Sequence, residues 1–145
     1  MSSANRTRAI AVLIIACVIP IGLLARSYRA DADSATFVGF LATYLGDTLW
    51  PIMFYFIGRC ILPKATALTL VTTTLAITLT LEFGQLWQPP ALQWLRQQPI
   101  IGFILGNHFI WSDVVCCLVG TAAAWCADAL LIGRALRRTL RVTGR

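Results

Sequence analysis

Residues 65–87 read ATALTLVTTTLAITLTLEFGQLW, a run in which Glu82 is the only charged side chain. A helix rises about 1.5 Å per residue, and about 20 apolar residues cross the hydrocarbon core of a bilayer. This run is therefore long enough to span a membrane. Its polar residues are not scattered. Thr74, Thr78, Glu82 and Gln85 follow i, i+4, i+8 and i+11, which is one face of a helix. A spanning helix with such a face must turn it toward other helices and away from lipid. Pro89-Pro90 then stops the helix, because proline lacks an amide donor and restricts the residue before it.

The rest of the chain agrees with that reading. Of its 145 residues, 58% are hydrophobic and only 12% charged, with a mean hydropathy of +0.75. A soluble domain carries about 25% charged residues. Three further apolar runs lie at about residues 9–25, 37–58 and 109–133. The expected fold is all-α: an integral membrane bundle of four transmembrane helices with an interfacial or re-entrant outer loop. No internal repeat or low-complexity linker divides the chain, so residues 1–145 are expected to form one domain with a basic tail at 134–145. Pro20 and Pro51 fall inside spans, where neighbouring helices can satisfy the freed backbone groups, so they are expected to kink rather than break them. The first run is longer than the apolar part of a signal peptide, and Arg26 and Arg29 follow it directly. It is expected to remain as a span despite the A-x-A at Ala30-Asp31-Ala32.

Basic residues give the orientation. With the N-terminus in the cytoplasm, Arg6, Arg8, Arg59, Lys64, Arg134, Arg137, Arg138, Arg141 and Arg145 lie inside, and Arg26, Arg29 and Arg96 outside. This bias puts both termini in the cytoplasm of a bacterial inner membrane, with the tail RALRRTLRVTGR against anionic lipid. The net charge of +6 is thereby explained by topology, and no nucleic acid partner is expected. The five cysteines (Cys17, Cys60, Cys116, Cys117 and Cys126) lie in or beside apolar runs without metal-ligand spacing. They read as buried small side chains, and no metal or other cofactor is expected.

The topology gathers distant polar residues. Glu82 and Gln85 fall near the outer end of the third span, Asp113 near the outer start of the fourth, and Asp47 about 15 Å into the second. Arg26 closes the first span on the same side, with Arg96 and His108 in the outer loop. Gly39, Thr43, Gly46 and Asp47 form a small, polar stripe, as do Asp113, Cys117, Gly120, Ala124 and Ala127. Small residues permit close helix approach, and threonine can hydrogen-bond across a seam. A lone Asp at the centre of an inserted helix costs about 2.5–3.5 kcal/mol. The acids are therefore expected to pair with Arg26, Arg96 or His108, or to hold a proton. The candidate binding residues are Arg26, Asp47, Glu82, Gln85, Arg96, His108 and Asp113, with no catalytic residue assigned. The segment IIGFILGNHF, residues 100–109, is too short to span and is expected to lie in the interface, as a lid over the acids or as a foot. Asp128 lies deeper, toward the cytoplasmic end, where Arg59 or Arg134 would neutralise it.

These residues also resemble a known pattern. Glu82-x-x-Gln85, then Arg96, then Asp113 with Gly120 seven residues on, is similar to the E-x-x-Q … R … D-x-x-x-N-x-x-G pattern of VanZ-like membrane proteins, with Cys117 standing where that pattern prefers Asn. A closer likeness is to an uncharacterised bacterial family of small four-span proteins, a domain of unknown function. Its pattern adds an arginine after the first span (Arg26), G-D-x-L-W at Gly46–Trp50, and a segment leading from Leu105-Gly106 to Trp111-Ser112-Asp113. That likeness covers about residues 10–125. The VanZ resemblance implies work at the cell envelope without supplying a chemistry.

The function that follows is binding of a membrane lipid headgroup or a lipid-linked envelope precursor, with arginine matching phosphate through its planar fork of donors. Two alternatives are a proton-coupled transporter or channel subunit, working as a homo-oligomer, and a structural partner in a membrane complex. No nucleophile motif or phosphate loop is present, so an enzyme would rest on the paired acids and His108 alone.

Overall fold

The computed structural model describes residues 2–29, 36–98, 101 and 109–132, and the regular structure in them is helical throughout. Ser2 opens the first helix, α1 (Ser3–Arg29), its hydroxyl accepting from the Asn5 amide at 3.3 Å. Thr36 caps α2 (Phe37–Ile61) by accepting from the Gly39 amide at 3.1 Å. Thr66 does the same for α3 (Ala67–Gly84), accepting from Thr69 at 3.1 Å. Each cap satisfies one of the amides that a helix N-terminus leaves without a partner. A short helix, α4 (Pro90–Arg96), precedes α5 (Trp111–Ala127), which runs on into a π-helical turn, Asp128–Ile132.

Four segments are long and apolar enough to cross a membrane: Ser3–Ala25, Phe37–Ile61, Ala67–Gly84 and Trp111–Ile132. The protein is thus an all-helical, multi-pass membrane protein. The third helix ends at Gly84, short of the expected Trp87, and the tandem proline lies beyond it. Pro89 and Pro90 instead launch α4, with Pro90 at its first position, where a missing amide costs nothing.

The bundle is polar inside and greasy outside. Leu13, Leu24, Leu68, Leu118, Val119 and Leu131 are exposed on its surface, as helices facing lipid require. The apolar core is small: Ala11, Tyr55, Phe56, Leu70, Ala124 and Ile132. The hub is α2, which packs against α1, α3 and α5. Its contact with α5 leaves no room for a side chain at Gly120. A Cβ at Gly120 would overlap the Thr48 carbonyl oxygen and sit 2.5 Å from Pro51 Cγ, both on α2. Only glycine fits there, in the manner of small-residue packing between membrane helices.

Replacement of Gly120 by Ala should therefore force the two helices apart, at a cost of about 1–3 kcal/mol. Gly84→Ala meets nothing within 4 Å and should change stability by no more than about 0.5 kcal/mol. Reversible unfolding of the two variants in detergent micelles separates these outcomes.

Candidate functional site

On α3 the striped face points inward as expected. Thr74, Thr78 and Gln85 are buried and Glu82 is half-buried. The Gln85 side-chain amide donates to Glu82 Oε2 at 2.9 Å. Asp113 on α5 and Asp47 on α2 both lie close enough to act electrostatically on Glu82. Carboxylates from three helices therefore share one region of the bundle interior. Ser112 Oγ donates to Asp113 Oδ1 at 3.2 Å. Inside α2, Asp47 lies one turn before Pro51, which has no amide to give the Asp47 carbonyl four residues back.

Two further residues belong to this cluster. Cys117 is 2% exposed, faces Thr78 across the α3–α5 seam, and lies within electrostatic range of Glu82 and Asp113. The inward stripes contained both residues, but their contact depends on the vertical register of α3 against α5, which the spacing does not encode. The threonine hydroxyls also bond within their own helices. Thr43, Thr48, Thr78 and Thr121 each donate to the carbonyl four residues back on their own helix, at 2.7–2.9 Å. A buried hydroxyl satisfies itself on that carbonyl, at a small cost in helix geometry.

Arg96 is also placed differently from the expected pairing with an acid. It is 8% exposed, but its guanidinium donates to the carbonyls of Gly84 at 2.9 Å and Trp87 at 3.3 Å. Beyond the early end of α3 the chain turns, the Trp87 amide donating to the Gly84 carbonyl at 3.2 Å, and α4 folds back to bring a fork of further donors onto the carbonyls of Gly84 and Trp87. Arg96 therefore locks the end of the helix that carries Glu82 and Gln85. Two buried polar atoms beside that lock, Gln85 Oε1 and Arg96 Nε, have no hydrogen-bond partner among the described residues. Phe109, at the end of the apolar outer segment, stacks on Phe83 with ring centroids 5.7 Å apart. The expectations for the Arg26 side chain, His108, the body of the lid and the basic tail lie outside the described residues.

At the opposite end of the bundle a second polar cluster is buried. Asp128 Oδ2 receives both an Arg59 guanidinium N–H and the Tyr55 hydroxyl, the latter at 2.8 Å. Arg59 also donates to the Ala65 carbonyl at 2.7 Å, tying α2 to the turn before α3. Arg59 is thus the partner expected for Asp128. Tyr55 was not anticipated, although it stands one helical turn from Arg59 at i, i+4 spacing. Among the described residues, no group of three or more His, Cys, Asp or Glu is placed to hold a metal ion.

Removing one member of a buried ion pair strands the other charge, so Arg59→Met should destabilise the protein by about 3–5 kcal/mol. The double variant Arg59→Met/Asp128→Leu should recover most of that loss, as measured by unfolding in micelles.

No solved structure matches this chain. The family model described as "Protein of unknown function (DUF2809)" matches residues 36–121. That segment runs from the cap of α2 into α5 and contains Asp47, Glu82, Gln85, Arg96, Asp113 and Gly120. It is more than half of the chain, and the protein belongs to the DUF2809 family.

Proposed function

We propose that this protein binds the polar head of a membrane lipid, or of a lipid-linked cell-envelope component, in the outer half of its bundle. The observation that carries this reading is the meeting of Asp47, Glu82 and Asp113, from three helices, with Gln85, whose buried Oε1 has no partner among the described residues, bonded to Glu82. Polar groups gathered inside a bilayer favour a ligand that supplies further hydrogen-bond donors. Hydroxyls of a sugar, amides of a peptide or an ammonium would all do so. Arg96 donates to helix carbonyls through two nitrogens, and its buried Nε, without a partner among the described residues, is a further donor for a ligand oxygen.

The basic-residue bias favours the bacterial cytoplasmic membrane, with both termini inside and the acid cluster toward the envelope. The VanZ-like order of Glu82, Gln85, Arg96 and Asp113 supports the same setting. A transport pathway is less favoured. Between the acid cluster and the Arg59–Asp128 cluster lie buried Pro51, Phe56 and Ala124, with Thr74 and Thr121 as buried polar residues of the intervening layer. No charged side chain among the described residues bridges the two clusters through that layer.

Native mass spectrometry of gently extracted protein should detect a retained lipid. Glu82→Gln and Gln85→Leu should each lose it while keeping the unfolding midpoint. An unchanged lipid complement in both variants would refute the proposal. Orientation is tested separately, with single cysteines at positions 64 and 94 in a background without native cysteines. In intact cells a membrane-impermeant maleimide should label position 94 and spare position 64.

A further inference from the structure

The end of the bundle opposite the acid cluster holds a cavity of about 440 Å³, lined in part by Ser3, Thr7, Arg59, Lys64 and Asp128. That volume is within the range of small-molecule sites, about 300–1,000 Å³. Arg59 and Asp128 are 6% and 5% exposed, yet each leaves one buried atom without a partner among the described residues: Arg59 Nε, a donor, and Asp128 Oδ1, an acceptor. A pair that existed only to neutralise itself would use both. Tyr55 and one guanidinium nitrogen already occupy Asp128 Oδ2, so Oδ1 is the atom left for a ligand.

The cavity therefore asks for two opposite things. Its positive side comprises Arg59 Nε, the exposed ammonium of Lys64 at the rim, and the first turn of α1 at Ser3 and Ala4. Amides in a first turn have no helical acceptor and favour an anion. Its negative side is Asp128 Oδ1. A bare phosphate would meet the first and be repelled by the second. A phosphate carrying an ammonium a few bonds away satisfies both. Arg59 lies within two residues of the end of α2, so the cavity stands at the helix ends, at the depth where lipid phosphates lie.

We infer that this cavity is a second binding site, selective for an aminoalkyl phosphate such as a phosphoethanolamine head, with the phosphate on Arg59, Lys64 and the α1 terminus and the ammonium on Asp128. The site is independent of the acid cluster and does not rest on its function.

The test uses the full-length, delipidated protein in micelles, titrated with dihexanoyl-phosphatidylethanolamine, its phosphatidylcholine counterpart, free phosphoethanolamine and inorganic phosphate. Binding is read by calorimetry. Phosphatidylethanolamine should bind about tenfold or more tightly than phosphatidylcholine, whose methylated ammonium has no N–H for Asp128. Lys64→Ala, at an exposed position, should weaken that binding about tenfold without moving the unfolding midpoint, and Glu82→Gln should leave it intact. Binding of the lipid alone identifies a membrane headgroup as the source, whereas equal binding of free phosphoethanolamine identifies a soluble one. Equal binding of the choline and ethanolamine lipids, inorganic phosphate matching either, no binding at all, or an unaltered affinity in Lys64→Ala would overturn the inference.

Discussion

The arrangement depends on how closely α5 can approach α2. Gly120 lies on a backbone carbonyl and a proline ring of the neighbouring helix, and a single added carbon would have nowhere to go. In water, burial of apolar surface would supply the drive to pack. In lipid that drive is absent, and association relies on van der Waals contact between surfaces that fit. The glycine creates such a surface. It also fixes the height of Asp113 and Cys117 on α5 against Asp47 on α2, so that packing and the composition of the acid cluster share one cause.

Polar groups sit in two layers joined by the same helices. On α2, twelve residues separate Asp47 from Arg59, about 18 Å along the axis. On α5, fifteen separate Asp113 from Asp128, about 22 Å. Each helix thus brings one charged residue to each end, and the two ends treat their acids differently. At the Arg59 end a cation and a phenol from α2 hold Asp128. At the other end carboxyl groups from three helices come together, and Arg96 donates to carbonyls at the end of α3. The first arrangement orders the bundle, while the second leaves unmet hydrogen-bonding capacity beside a half-buried carboxylate.

Much of this was legible before any coordinates. The helical spacing of Thr74, Thr78, Glu82 and Gln85 marks an inward face, and four apolar runs with alternating direction bring Glu82, Asp113 and Asp47 to one end. Those inferences need only helix geometry and the cost of charge in lipid. The partners of Arg96 were not legible, because they depend on α3 stopping at Gly84 and α4 doubling back. Nor were the threonine bonds, since a hydroxyl that can reach its own helix looks identical in sequence to one that crosses a seam. The π-helical turn at Asp128 leaves no pattern in five residues, DALLI, that an ordinary helix would lack. Gly120 was recognised as small, but the carbonyl it touches was beyond reach.

The unequal lengths of the helices have a mechanical consequence. At 18 residues, α3 is about 27 Å long, whereas α2 at 25 residues is about 37 Å. A hydrocarbon layer near 30 Å thick leaves α2 to tilt and α3 to stand almost upright. Glu82 and Gln85 occupy the final turn and cap of the shorter helix, so local thickening of the bilayer submerges them, and thinning lifts them toward water. The wetting of the acid cluster thereby depends on the thickness of the lipid that surrounds it.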